Sequence, residues 1–169
     1  LAAYLWRNCL RSLIPLLLAS NLSAASVLDV SVFDAVSLAR NCNPRLTLTQ
    51  SLVVADAVFS AAKKHSVKTS TILGIITVES TFDPSAVSSY GAVGLMQVVP
   101  RMHRDKLDVV KKQATNVKDN VDVGTQILQE YVSKYGNDRG LVKYSGKATR
   151  YGEKVLRASS MKRNQQCPK

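Results

Sequence analysis

The chain has 169 residues, of which 23 are Lys or Arg and 12 are Asp or Glu, so its formal net charge is +11 at pH 7. This length suits one domain of ordinary size and excludes two domains that each have a core of their own. The positive charge favours polyanionic partners, or simply keeps the chain in solution. Aromatic and basic residues do not alternate as they do in proteins that stack nucleic-acid bases, so we expect no nucleic-acid partner.

Residues 1–25 have the pattern of a secretion signal. Arg7 and Arg11 form a positive head, residues 13–19 form a short apolar run, and residues 23–25 are small enough for a signal-peptidase site. We therefore expect cleavage after Ala25 and a location in the periplasm or outside the cell. A membrane anchor is the competing interpretation, but it needs about 18 to 20 apolar residues, and this run is shorter.

The cysteines and histidines indicate a disulfide rather than a metal site. Cys9 would leave with the signal, and Cys42 and Cys167 would then remain as an even pair in an oxidising compartment, which predicts a disulfide between them. His65 and His103 are isolated, and the sequence contains no pair of ligands at the spacing of a zinc site. We expect neither a metal nor a cofactor.

The chain after the signal predicts an N-terminal extension over residues 26–48 and then a first helix. Asn43-Pro44 marks a break, and Thr49 is the predicted cap of a helix over residues 50–65. Apolar residues in this helix recur at helical spacing and predict one buried face, formed by Leu52, Ala55, Phe59 and Ala62.

The second predicted helix covers residues 72–80, with Thr69, Ser70 or Thr71 as its cap, and it is apolar on nearly every side. It should therefore be buried. Asp83-Pro84 ends it, and residues 83–94 are rich in turn formers, which indicates a loop.

Two further helices complete the predicted fold. One follows Asn120 over residues 121–135 and stops at Gly136, and the other includes residues 151–157. No hairpin pattern and no internal repeat is present in the sequence. We predict an all-α fold, with one domain over residues 49–160 and a short C-terminal tail over residues 161–169.

Glu79 is the only carboxylate between Val67 and Phe82, and it lies at the end of the most apolar predicted helix. Burial disfavours the charged form of a carboxyl group, so its pKa should rise and it could hold a proton near neutrality. A general acid needs this property. The opposing interpretation is a helix-surface glutamate whose head reaches water.

The segment that begins at Glu79, ESTFDPSAVSSYGAVGLMQVVP over residues 79–100, resembles the signature of the soluble lytic transglycosylase family. In that signature Glu-Ser opens the motif and Gly-Leu-Met-Gln closes it, as Glu79-Ser80 and residues 94–97 do here. Asn120-Val121 with Gly124, and residues 144–155, resemble the later helices of the family. The resemblance covers about residues 50–157.

The resemblance implies a lysozyme-like single domain, closest to goose-type lysozyme, with a cleft that binds peptidoglycan glycan strands. It implies that Glu79 is catalytic in cleaving the bond from N-acetylmuramic acid to N-acetylglucosamine. Four further residues are implied to contact the substrate, namely Ser88, Met96, Gln97 and Tyr144. The sequence departs from the family at Ser145, where the family usually has Asn.

In the family's mechanism one carboxyl group acts first as acid and then as base, and the product is a 1,6-anhydromuramoyl end. Two alternatives remain open. A muramidase of the same fold would use water, and Asp83 is then the first candidate for a second carboxylate. A non-catalytic glycan-binding component of a secretion or pilus apparatus would cleave nothing. We expect a monomer.

Overall fold

The computed structural model describes residues 29–108, 113–146, 150–161 and 167. These residues form seven α-helices and one 3-10 helix, Pro100–Met102. The α-helices, in chain order, are α1 Val32–Cys42, α2 Leu48–His65, α3 Thr69–Ser80, α4 Arg104–Asp108, α5 Val117–Tyr135, α6 Asn137–Tyr144 and α7 Tyr151–Ser159. The described ranges contain no β-strand, only isolated bridges that pair Val93 with Val87 and Val98. The predicted all-α class is confirmed.

The predicted secretion signal lies outside the described residues, as does most of the predicted C-terminal tail. In the part of the chain that the structure describes, no helix is long and apolar enough to cross a membrane. Helix α1 falls within the segment that we predict as an N-terminal extension. Its buried face, which includes Ala35, Leu38 and Ala39, packs against α2 in the same core as the rest of the chain.

Helix α3 lies in the centre of the core, as its composition predicts. Ile72, Ile75 and Ile76 are completely buried, and the helix packs closely against α7. Gly74 makes the close approach possible, because a Cβ at this position would lie 2.8 Å from the carbonyl oxygen of Val155. The α3–α7 contact thus holds the end of α3, where Glu79 lies, against the start of α7.

The start of α3 corrects the predicted cap. None of Thr69, Ser70 and Thr71 caps the helix locally, because the helix already begins at Thr69 and the residue before it, Lys68, forms no side-chain cap. The carboxylate of Asp29 takes this role from a distance in sequence, since its Oδ1 accepts the backbone N–H of Ser70 at 3.0 Å and its Oδ2 accepts the Ser70 hydroxyl.

The predicted starts of two other helices also need correction. The cap of α2 is Thr47 rather than Thr49, because the Thr47 hydroxyl and the Gln50 side chain form a reciprocal capping box. Helix α5 is capped by Asn116, whose side chain accepts two backbone N–H groups, so Asn120 lies inside the helix. Gly136 ends α5 as predicted, with a positive φ of 79°.

The predicted buried face of α2 is correct in part. Ala55 and Ala62 are buried and Phe59 is half-buried, but Leu52 is 46% exposed. The centre of the buried face is formed by Val54, Val58 and Ala61, so Leu52 falls outside it.

A disulfide joins Cys42, at the end of α1, to Cys167, with 4.9 Å between the Cα atoms. It closes a loop of 125 residues that contains most of the domain. Restricting the unfolded chain in this way contributes up to about 4–5 kcal/mol to the free energy of unfolding in the chain-entropy account.

We expect the double variant Cys42→Ser/Cys167→Ser to unfold at clearly lower urea concentration than the wild type, because its unfolded chain is no longer restricted. Urea titrations of the two proteins, and of the wild type with reductant, measure the effect. Protein isolated without reductant should give one disulfide-linked peptide that contains both cysteines. Free thiols at these two positions would contradict the prediction.

Candidate functional site

Glu79 lies in the last turn of α3 and is half-buried. Burial raises the pKa of its carboxyl group above the ordinary value of 4.5, and a hydrogen bond from Tyr151 opposes this rise. The Tyr151 hydroxyl donates to Oε1 of Glu79 at 2.5 Å, which leaves the second carboxyl oxygen free of Tyr151. The site therefore contains a carboxyl group that retains its proton to higher pH than an exposed glutamate does.

Tyr151 is a site residue that the sequence analysis did not identify as one. It is the first residue of α7, only 4% exposed, and follows Arg150 in a left-handed conformation. Burial and the neighbouring Glu79 charge hold its pKa above the ordinary range, so its hydroxyl stays protonated and can donate. The sequence predicts the helix that contains Tyr151, but only the packing of α7 on α3 brings its hydroxyl to Glu79.

Tyr151→Phe should lower turnover and also move the alkaline limb of the pH–rate profile to higher pH. The lost hydrogen bond favours the ionised carboxylate, so without it the pKa of Glu79 rises further and the acid form persists to higher pH. Rates on purified glycan strands across a pH series, with Tyr135→Phe as the control at a tyrosine outside the site, test this. An alkaline limb that stays in place or moves down would contradict it.

The loop after Glu79 turns sharply because two consecutive residues are left-handed. Thr81 and Phe82 have φ values of 50° and 60°, which are uncommon for residues other than glycine. Phe82 is completely buried, and its carbonyl oxygen accepts a hydrogen bond from the Asn43 side chain at 3.0 Å. The Ser80 hydroxyl is 2.8 Å from the carbonyl oxygen of Leu95, a contact that ties the end of α3 to the far side of the loop.

Asn120 anchors the Gly-Leu-Met-Gln part of the loop and is a second residue that the sequence analysis did not place in the site. It is 1% exposed, its Oδ1 accepts the Met96 N–H at 2.8 Å, and its Nδ2 donates to the carbonyl oxygens of Val93 and Ala114. Gly94 leaves room for it, since a Cβ there would lie 2.5 Å from the Asn120 Nδ2.

Three of the four predicted substrate-contacting residues line one cleft with Glu79, namely Ser88, Gln97 and Tyr144. The Ser88 hydroxyl oxygen accepts the Ala92 N–H at 3.0 Å. The Gln97 amide donates to the carbonyl oxygens of Ala86 and Gly94, and it does so from a left-handed backbone with φ of 48°. These bonds fix the wall of the cleft.

Tyr144 links the last helices to the loop. Its hydroxyl donates to the carbonyl oxygen of Met96 at 2.8 Å, and burial together with the Glu79 charge raises its pKa well above the ordinary value. The hydroxyl therefore remains a donor, and the ring forms part of the cleft.

Met96 does not line the cleft, contrary to expectation. Its side chain is completely buried, because Gly124 of α5 leaves space for it: a Cβ on Gly124 would lie 2.7 Å from the Met96 Cβ. Thr125 also contacts its sulfur, with the hydroxyl 3.6 Å away. Met96 contributes to the site through its backbone, which is held by Asn120 and Tyr144.

The cleft has a volume of about 600 Å³, and Glu79 is the only carboxylate among its described lining residues. The others are Ser88, Tyr90, Ala92, Gln97, Val98, Val99, Met102, His103, Ile127, Tyr131, Lys143, Tyr144, Ser145 and Gly146. Tyr90 and Met102 are more than half exposed, so apolar and aromatic surface borders the cleft that contains Glu79. Such a surface suits the apolar faces of sugar rings.

Asp83 lies elsewhere. Its Oδ1 accepts the backbone N–H of Ser85 at 2.9 Å and the Ser85 hydroxyl at 2.6 Å, and these bonds lower its pKa. It lines a separate, smaller pocket beside Cys42 and Arg45. Asp83 is therefore an ionised turn residue.

Within the described ranges, no three His, Cys, Asp or Glu side chains are grouped so that they could hold a metal ion. His103 borders the cleft, and burial lowers its pKa, with the positive charge of Lys106 acting in the same direction. Among the described cleft residues, Glu79 supplies a carboxyl group that can transfer a proton, and hydroxyl and amide groups lie around it.

Comparisons with known proteins agree with this geometry. Residues 56–158 match the family model of the transglycosylase SLT domain. The chain is 40% identical over 83 residues to a membrane-bound lytic murein transglycosylase C of Haemophilus ducreyi, a match that covers 44% of this chain and 22% of the relative. It is 44% identical over 75 residues to the protein of that name from Actinobacillus pleuropneumoniae, covering 40% and 20% of the two chains.

The match spans about a fifth of the length of these relatives. The family match, over residues 56–158, includes Glu79, the loop to Gln97, Asn120, Tyr144 and Tyr151. The chain therefore belongs to the family of transglycosylase SLT domains, with the all-α, lysozyme-like fold.

Proposed function

We propose that this protein is a lytic transglycosylase that cleaves the glycan strands of peptidoglycan at the bond from N-acetylmuramic acid to N-acetylglucosamine. The observation that carries the proposal is Glu79, a carboxyl group with a raised pKa that is the only acid among the described residues lining the cleft. Membership of the family and the names of the relatives support the same substrate.

The reaction that we propose uses Glu79 twice. Its protonated form donates a proton to the glycosidic oxygen, and the substrate's own N-acetyl group stabilises the positive charge that develops at the sugar. The resulting carboxylate then removes the proton from the C6 hydroxyl, whose oxygen closes on the anomeric carbon. The leaving strand keeps the first proton, Glu79 recovers the second, and no water is consumed.

The residues around Glu79 have supporting roles in this scheme. Tyr151 holds one carboxyl oxygen, so the other is oriented for proton transfer. Ser88, Gln97 and Tyr144 line the cleft beside the acid, and we propose that they contact the glycan. Met96 shapes the cleft from beneath without contacting the substrate through its side chain.

Hydrolysis is the second candidate function, and the position of Asp83 argues against it. Most glycosidases pair an acid with a second carboxylate across the scissile bond. Asp83 is engaged in the turn at Ser85 and lines a pocket other than the cleft, so it does not face Glu79 across a bound sugar. A carboxylate that activates water is therefore missing from the described part of the cleft.

The products of wild-type protein on purified sacculi distinguish the two reactions. A transglycosylase releases muropeptides with anhydro ends, which are lighter by one water than hydrolytic products and which borohydride cannot reduce. We expect such ends alone. Reducible muramoyl ends would show hydrolysis, and intact sacculi would favour a non-catalytic glycan-binding role. We also propose that the protein acts in the cell envelope, on the outer side of the cytoplasmic membrane, because its proposed substrate lies there.

A further inference from the structure

Lys143 is the one Lys or Arg among the described residues that line the cleft. It is exposed at the end of α6 and forms no ion pair with any carboxylate that the structure describes. Its ammonium group instead lies 5.4 Å from the centroid of the Tyr135 ring. A cation of this kind keeps its charge available to a ligand in the cleft.

A second ammonium group lies beside the same ring. Lys134 Nζ is 5.3 Å from the Tyr135 centroid, and the ring of Tyr135 is 6.4 Å from that of Tyr131, which lines the cleft. Neither lysine is paired with a described acid, so the two like charges are offset only by the ring's negative face. Two ammonium groups thus lie beside Tyr135, near the end of α5.

Structural roles do not account for this arrangement. A lysine in the last turn of a helix interacts favourably with the helix dipole, but this interaction does not require the side chain to point in one direction. Lys143 also does not set the acidity of Glu79, since the pKa of that group is shifted by burial and by Tyr151. A cation of the cleft lining that has no described carboxylate partner is suited to contact the substrate.

We propose that Lys143 binds a carboxylate that the substrate carries beside the scissile bond. This inference rests on the proposed function, since the chemistry of peptidoglycan supplies the ligand. The sugar rings are uncharged, but each muramoyl residue bears a lactyl group, whose carboxyl is either free or joined to a peptide that has carboxylates of its own. Both sources present the same group, and a lysine binds it as a point charge.

Binding to insoluble glycan tests the inference without depending on turnover. The Lys143→Gln change is made in a Glu79→Gln background, and Lys134→Gln in the same background is the matched control, because Lys134 has the same charge and ring contact but lies outside the cleft lining. Co-sedimentation at low salt is measured with native sacculi, with amidase-stripped glycan strands, and with sacculi whose carboxylates are blocked as amides.

We expect Lys143→Gln to weaken binding to native sacculi by about two- to fivefold, as for an exposed charge pair, and Lys134→Gln to have a smaller effect. The difference should shrink as salt is added and disappear on blocked sacculi. A loss that is also seen on stripped strands shows that Lys143 binds the free lactyl carboxylate, which the amidase exposes, and a loss confined to native sacculi identifies the peptide carboxylates as the ligand.

Three results would overturn the inference: no loss on native sacculi, an equal loss on blocked sacculi, or an equal loss with Lys134→Gln. Kinetics give an independent readout, because Lys143→Gln in the otherwise wild-type protein should raise KM and leave the pH profile unchanged. A wild type that fails to cut sacculi would refute the proposed function, whereas the three results above concern Lys143 alone.

Discussion

Glu79→Gln is expected to abolish cleavage of peptidoglycan while the protein stays folded and still binds the glycan. Glutamine keeps nearly the same shape, and its amide oxygen can still accept the hydrogen bond from Tyr151. It can neither donate a proton to the leaving oxygen nor take one from the C6 hydroxyl. Because acid and base assistance each contribute about a hundred- to ten-thousandfold, the rate should fall by at least that factor.

The assay is digestion of purified sacculi, followed by mass analysis of the released muropeptides. Asp83→Asn is the matched control, since it makes the same carboxyl-to-amide change four residues later in a group that lines another pocket. It should keep wild-type activity. Undiminished cleavage by Glu79→Gln would contradict the catalytic role proposed for Glu79. Loss of activity in Asp83→Asn would indicate that a second carboxylate takes part in the reaction.

The same substitution has a pH-dependent effect on stability. Burial raises the pKa of Glu79 in the folded state, so between its ordinary value of 4.5 and the raised value the folded protein binds more protons at this group than the unfolded chain. The free energy of unfolding then falls as pH rises through this window. Relative to Glu79→Gln, the wild type should lose stability from about pH 4.5 upward, and urea titrations of both proteins at a series of pH values measure it.

The helices could be predicted from the sequence because the spacing of apolar residues and the residues that end a helix are local signals. The burial of α3 and the stop of α5 at Gly136 are confirmed. The predicted helix starts fail where the cap is chosen by backbone geometry or by a distant group. Thr47 and Thr49 are equally good caps as residues, and nothing near Ser70 in sequence reveals that Asp29 will bind its N–H.

The candidate site shows the same division between local and distant information. Glu79 could be proposed because the segment that begins with it resembles the signature of a family, whereas an isolated carboxylate at the end of an apolar helix would by itself have allowed a surface position. Tyr151 could not, since its role depends on α7 packing against α3 through Gly74. Met96 illustrates the opposite error: its place in the motif suggested contact with the glycan, whereas the space left by Gly124 draws its side chain into the core.

Among single substitutions in the site, Asn120→Ala is the one for which we expect the largest loss of stability. Asn120 bonds three backbone groups, the N–H of Met96 and the carbonyl oxygens of Val93 and Ala114, and it is almost completely buried. Alanine would leave all three without this partner, at about 1–3 kcal/mol for each buried group that finds no other. The Val93 oxygen still accepts the N–H of Val98, so the Met96 N–H and the Ala114 oxygen account for an expected loss of at least about 2 kcal/mol in the free energy of unfolding.

Activity should fall together with stability. Asn120 and Tyr144 both bind the backbone of Met96, and Gln97, which lines the cleft, is the next residue in the chain. A displacement of about 1 Å in such a wall can cost about a hundredfold in rate. Asn116→Ala is the matched control in the same helix: an exposed cap whose removal should cost about 1 kcal/mol and leave activity intact.

Asn120→Asp separates the bonds that Asn120 accepts from those that it donates. A carboxylate can still accept the Met96 N–H, but it has no N–H for the two carbonyl oxygens and repels both. The variant should therefore be nearly as unstable as Asn120→Ala at neutral pH and should recover part of its stability at low pH, where the protonated acid can donate once. Urea titrations of the three variants at two pH values measure this. If Asn120→Ala were no less stable than Asn116→Ala, the loop would be held by the bonds of Ser80, Gln97 and Tyr144, and Asn120 would only fill space beside Gly94.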